Sequence, residues 1–166
     1  VKWLALAGAI LSAAAFAACG GDSATGVAES VESSTTESVL SRPKPKPAIP
    51  DVPPPKKLVF KDLKRGAGVA AKAGDELTIE YVGYDYRTGK EFDAQTHHWG
   101  YDEPAVFELG VGEAVPGWDP GLQGMRVGGL RELTIPPDLA YGDGISPPGV
   151  RPSDTVIFVV ELLGIG

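Results

Sequence analysis

Residues 113–129 read EAVPGWDPGLQGMRVGG. A large aromatic, Trp118, stands between Gly117 and Asp119 and is followed by more Gly and Pro. Backbone so punctuated suits neither a long helix nor a plain strand. Trp118 therefore has two readings: a loop aromatic folded back as a plug, or a flat apolar surface on which a ligand rests. The other reactive side chains narrow the chemistry. His97 and His98 are adjacent, but no Asp, Glu or His cluster is spaced to complete a zinc set. They read as exposed loop residues. No Gly-rich segment has the strand–helix setting and Lys-Ser/Thr ending of a phosphate loop. No Ser-His-Asp arrangement can be argued, and neither metal nor cofactor is expected.

The chain has 166 residues, room for one domain with appendages. Its formal net charge of -7 leaves no basic face for nucleic acid. The sole cysteine, Cys19, excludes an intrachain disulfide. Lys2 precedes an apolar run from Leu4 to Ala18. That run is short for a membrane span and suits a signal-peptide core. It ends in Phe16-Ala17-Ala18-Cys19-Gly20. Small residues before a cysteine resemble a bacterial lipobox, in which the cysteine is lipidated and becomes the mature N-terminus. Phe16 stands where Leu is usual. The alternative is a plain secretory cut after Ala17, leaving Cys19 a free thiol. The expectation is a lipoprotein signal peptide over 1–19 and an extracytoplasmic, membrane-anchored protein.

Residues 20–41 are rich in Ser, Thr, Ala, Gly and Glu and have no apolar periodicity. Such composition cannot bury enough surface to offset the entropy of ordering. Residues 42–57, RPKPKPAIPDVPPPKK, favour a stiff polyproline II rod. Residues 20–57 are thus expected to be a disordered linker, with the folded domain over 58–166.

Within that domain, Leu77 to Val82 alternates apolar and polar residues, as a half-buried strand does. Leu130 to Ile135 does so too and is ended by Pro136-Pro137. Thr155 to Leu163 is the strongest strand pattern, and Lys57–Leu63 and Val106–Leu109 are shorter ones. Pro120 to Met125 is the one helix expected, with Pro in its first turn and Gly128-Gly129 as its stop. The sum is an α+β domain, an antiparallel sheet curling over one short helix.

Four blocks now resemble one family. EYVGYDYRTGKEFDAQ, FELGVGEAVPGWDPGLQGMRVGG, RELTIPPDLAYGDG and TVIFVVELL occur in order. They are similar to the FKBP family of peptidyl-prolyl cis-trans isomerases, from about Leu58 to Ile165. The resemblance implies a twisted antiparallel sheet of five or six strands wrapped around one short α-helix, with a shallow apolar pocket between them. It implies Trp118 as pocket floor, with Asp93 and Tyr141 as the other catalytic residues. Substrate would be bound by Tyr81, Phe92, Glu113, Ala114, Val115, Val150 and Phe158. It implies proline-containing polypeptides as partners, macrolides as a second ligand class, and a monomer. Asp93 would either face the twisting carbonyl or hold Tyr81 in place.

The chain departs from the family pattern in places. Ala105 stands at a wall site often aromatic, and Ala114 is smaller than the usual Val. The segment after Asp93, AQTHHWGYDE, is longer and lacks an Arg to pair with that Asp. Ser146 and Gly149 replace a family His and Ile. These changes bear on ligand selectivity. They keep a second reading in view, a non-catalytic module binding proline-containing or unfolded chains. The junction at Cys19 generates its own test. Cys19→Ser is expected to release the protein from membranes and leave the domain folded, and mass spectrometry of the wild type is expected to find lipid on the cysteine.

Overall fold

The computed structural model describes residues 43–95, 103–142 and 144–166. Among these residues six strands form one sheet: β1 (Val59–Lys64), β2 (Glu76–Asp85), β3 (Glu91–Gln95), β4 (Ala105–Glu108), β5 (Leu130–Ile135) and β6 (Val156–Ile165). Among them too, one short α-helix, α1 (Trp118–Leu122), precedes β5. The order is β1-β5-β6-β2-β3, all antiparallel, with β4 also on β2. β4 and β3 share one edge of β2. β4 takes Glu76 to Ile79 and β3 takes Tyr81 to Tyr84. The seam between them opens beside Tyr81.

Alternation along the strands decides which residues meet. On β6, Val156, Phe158, Val160 and Leu162 face the main core, while Ile157 joins a second apolar group with Val82, Tyr84 and Tyr86. On β2, Leu77, Ile79 and Tyr81 belong to the main core and Val82 and Tyr84 to the second. Period-2 side chains on one strand thus feed two faces. The inner face is closed by Trp118, Leu122 and Met125.

The helix differs from expectation. It begins at Trp118, two residues earlier than Pro120, and ends at Leu122 rather than Met125. Pro120 is tolerated inside it because the first turn's N–H groups have no intrahelical acceptor. Gly124, at φ 75°, breaks it before Gly128-Gly129 is reached. β3 also went unpredicted from periodicity; its five residues, Glu91 to Gln95, include only two apolar ones, Phe92 and Ala94, on either side of Asp93.

The glycines beside Trp118 serve close approach. Gly117 has an ordinary φ of -71°. A Cβ there would meet Ile135 Cγ2 at 2.6 Å and the Leu139 carbonyl at 3.2 Å. A Cβ on Gly121 would meet Leu133 Cδ2 at 2.9 Å. The helix therefore packs backbone-first on β5. Arg131 of β5 then ties it down: Nη1 donates to the carbonyls of Gly121 (2.8 Å) and Gln123 (3.3 Å), and Nε donates to Asp62 (2.6 Å). Its guanidinium also lies 4.6 Å over the Phe60 ring.

Residues 43–57, expected as the end of a free linker, meet the outer face of the sheet. The Tyr84 hydroxyl donates to the Pro45 carbonyl at 3.1 Å and the Tyr86 hydroxyl to the Val52 carbonyl at 3.2 Å. Pro47 is buried, and Ile49 packs on the second apolar group.

Gly117→Ala tests the backbone-first packing. Its φ suits any residue, so the cost is overlap, chiefly with Ile135 and less tightly with the Leu139 carbonyl. Denaturant melts are expected to show a loss of about 1–3 kcal/mol, the usual range for overpacking.

Candidate active site

Three aromatic rings surround the buried Trp118, which is 5% exposed. Ring centroids lie 5.0 Å away for Tyr81 and 5.1 Å for Phe158, at 78° and 88° to the indole. Phe107 is tilted at 5.5 Å. Near-perpendicular packing of this kind sets the positive edge of one ring against the negative face of the other. Phe92 adds a further layer, 5.7 Å from Phe158 and 6.1 Å from Tyr141. Gly83 makes that layer possible: a Cβ there would meet Phe158 at 2.8 Å and Phe92 at 2.9 Å.

This cluster walls a cavity of about 200 Å³. Tyr81, Phe107, Trp118 and Phe158 line it, joined by Asp93 and Tyr141 on one side and by Ala105, Val106, Ala114 and Val115 on another. The plug and the platform are therefore one residue. Trp118 is packed as a core aromatic is, and it also floors a cavity.

The polar groups sit at one wall. The Tyr81 hydroxyl donates to Asp93 Oδ2 at 3.0 Å. Burial, then the Asp93 charge and that hydrogen bond, push the Tyr81 phenol well above the usual tyrosine range. Burial, and then Asp93, push Tyr141 up to about 12. Both phenols are thus protonated donors throughout the neutral range. Among the described residues no group of three or more His, Cys, Asp and Glu is placed to hold a metal.

The loop into the helix is built by carboxylates. Asp119 accepts from the Gly110 and Gly112 amides, at 2.8 and 3.2 Å, and Glu113 accepts from the Glu108 amide at 3.0 Å. These bonds fix the turn that delivers Val115 and Trp118 to the cavity.

Comparison with known proteins agrees with this architecture. Residues 68–163 match the model of the FKBP-type peptidyl-prolyl cis-trans isomerase family. The chain belongs to that family. An "FK506-binding protein" of Streptomyces anulatus is 44% identical over 127 residues, covering 76% of this chain and all of the relative. A "probable FK506-binding protein" of Corynebacterium glutamicum is 39% identical over 121 residues, covering 72% and 97%. The crystal structure of a peptidyl-prolyl cis-trans isomerase from Pseudomonas syringae pv. tomato covers 66% of this chain and 75% of its own, at 29% identity and a TM-score of 0.55.

The chain is accordingly an FKBP-type isomerase domain on an antiparallel six-stranded sheet. The structure gathers most of the residues that the resemblance named. Tyr81, Asp93, Ala114, Val115, Trp118, Tyr141 and Phe158 line the cavity. Phe92 stands behind Phe158 and Tyr141 instead of on the wall. Val150 is buried in the main core, its carbonyl accepting from Ser146 Oγ at 2.8 Å. Glu113 is exposed, with its carboxylate spent on the loop. Cys19, His97 and His98 lie outside the described residues. Phe107 was missed. It is the one buried residue of Ala105–Glu108, but the run Ala105-Val106-Phe107 is apolar throughout and carries no alternation to single it out. Ala105 does stand at the wall, where its small side chain leaves width.

Trp118→Ala removes the centre of three ring contacts. A loss of about 3–5 kcal/mol in denaturant melts is expected for so buried an aromatic, together with loss of isomerase turnover. Trp118→Leu keeps apolar volume without the flat face. It is expected to stay folded at 25 °C and still lose most turnover. Undiminished turnover in a folded Trp118→Leu protein would place the reaction elsewhere.

Proposed function

We propose that this isomerase acts on exported proteins as they fold, held at the membrane by lipid on Cys19, and that it works by desolvating the X–Pro amide. The X–Pro bond prefers trans by only about 0.5–1 kcal/mol. Its barrier is about 18–20 kcal/mol, set by amide resonance. The planar amide is dipolar and well solvated by water. The twisted transition state has lost resonance and is less dipolar at oxygen. An apolar cavity therefore disfavours the planar form more than the twisted one, which is differential binding of the transition state. A 10⁴-fold acceleration needs about 5.5 kcal/mol of such preference. No bond is made or broken, so no nucleophile is required.

The observation that carries this reading is the ring-walled cavity floored by the Trp118 indole. A flat indole matches the face of a proline ring. Tyr141 is the donor for a substrate carbonyl, since the Tyr81 proton is committed to Asp93. Asp93 then acts as a positioning residue, orienting Tyr81 through that bond. The export and anchoring parts rest on the apolar run from Leu4 to Ala18 and the Ala17-Ala18-Cys19-Gly20 junction.

A protease-coupled or NMR-exchange assay on a short proline peptide tests the mechanism. Tyr141→Phe is expected to lower kcat/KM by the equivalent of about 0.5–1.5 kcal/mol, one ordinary hydrogen bond, with little change in melting temperature. Activity is expected to be nearly flat from about pH 6 to 8, because no proton moves and Tyr141 titrates near about 12. A midpoint near about 6.5 would instead bring His97 or His98 into the reaction. Retained peptide binding with no exchange would convert the reading to a non-catalytic binding module.

A further inference from the structure

The proline-rich segment before β1 poses a problem for an enzyme that binds prolines. Residues 43–55 contain seven of them: Pro43, Pro45, Pro47, Pro50, Pro53, Pro54 and Pro55. They are tethered to the domain that carries the pocket. Thirteen residues of polyproline II span about 40 Å at ~3.1 Å each. A domain of this size has a radius of gyration of about 13 Å, so a free tether could reach its own pocket. Where a tether's reach matches the span, it presents its ligand at up to millimolar effective concentration.

The structure places this segment on the other side of the sheet. Tyr81 of β2 lines the catalytic cavity, whereas Val82 and Tyr84 belong to the outer apolar group. On that outer face two tyrosine hydroxyls take carbonyls of the segment, Tyr84 that of Pro45 and Tyr86 that of Val52. Both tyrosines are otherwise buried, at 5% and 8% exposure. Between those anchors Pro47 is buried, and Ile49 packs on Val82, Tyr84, Tyr86 and Ile157. Gly89, at φ 67°, leaves room for Ile49: a Cβ there would meet Ile49 Cδ1 at 3.1 Å. The Lys44–Glu91 ion pair at 2.5 Å adds register, although at about 30% side-chain exposure it adds little energy. Aromatic rings with hydroxyls aimed at carbonyls are how grooves bind a proline-rich chain, because prolines leave only carbonyls to recognise.

We propose that the outer face of the sheet is a second, non-catalytic site for an extended proline-rich segment, that its resident ligand is residues 44–52 of the same chain, and that this occupancy keeps the chain's own prolines out of the catalytic pocket. The proposal rests on the isomerase reading for its second half, and on contacts alone for its first.

The test uses the full chain. Ile49→Ser with Tyr84→Phe and Tyr86→Phe removes the apolar anchor and both hydroxyls while keeping the rings. Amide ¹⁵N relaxation at Lys46, Ala48, Asp51 and Val52 reads whether the segment is released, and turnover of a short proline peptide reads self-competition. Release is expected, with KM raised about two- to tenfold and kcat unchanged, as a millimolar competitor gives against an ordinary KM. In the same variant with all seven prolines changed to Ala, KM is expected to return to the wild-type value. Ordered amides in the triple variant would overturn the site. Released amides with unchanged KM, or a raised KM that survives loss of the prolines, would overturn the protective role. Lys44→Glu with Ile49→Ser alters only the segment, so it gives the same readings should the tyrosine changes harm the fold. Wild-type turnover is measured alongside; its absence would sink the isomerase reading and leave the relaxation result to decide the groove.

Discussion

The short helix has to reach β5 without side chains between the two backbones. Gly117 over Ile135 and Gly121 over Leu133 make that approach, at separations no Cβ would permit. The position of Trp118 follows from it. One step farther from the sheet, the indole would leave the edges of Tyr81 and Phe158, now 5.0 and 5.1 Å away. The cavity would lose its floor. Arg131 secures the same contact from the sheet side, spending its charge on Asp62 and its N–H groups on the carbonyls at the helix end. Those carbonyls have no partners within so short a helix. A buried guanidinium would be costly alone; here it doubles as the C-terminal cap.

The sheet separates functions by strand alternation. One residue's step along β2, from Tyr81 to Val82, passes from the cavity wall to the outer apolar group. The two faces nonetheless share a backbone. Gly83, between Val82 and Tyr84, clears space for Phe92 and Phe158 behind the cavity. Tyr84 and Tyr86 turn their hydroxyls to the segment that covers them. A family domain needs only the inner face for its reaction. The outer face of this chain is apolar enough to need covering, and a proline-rich segment covers it without competing for sheet N–H groups.

Much of this was legible because strands announce themselves through period-2 burial. Leu130–Ile135 matches β5 end to end, and Thr155–Leu163 falls within two residues of β6. β3 was passed over because its alternation, Phe92 and Ala94 between polar residues, spans only five residues and contains a single large apolar side chain. The helix ends were misplaced because Pro and Gly were read as punctuation alone. Pro120 is harmless inside a first turn, and Gly117 and Gly121 serve proximity, which no local pattern encodes. Phe107 was overlooked because Ala105-Val106-Phe107 is a continuous apolar run, in which no alternation marks the residue that turns inward to Trp118. Residues 43–57 have a linker's composition, but composition measures what a segment can bury by itself. It is silent on what Tyr84 and Tyr86 can offer.

Trp118 is both buried and part of the cavity wall. An indole has two fused rings where phenylalanine has one, so a single side chain reaches Tyr81, Phe107 and Phe158. The neighbouring rings hold it at an angle: Tyr81 and Phe158 lie nearly perpendicular to the indole and Phe107 is tilted, and among the described residues none stacks flat on it. One side chain thus ties three rings of the core together and closes one wall of the cavity, so the packing of the core and the shape of the cavity cannot be changed independently.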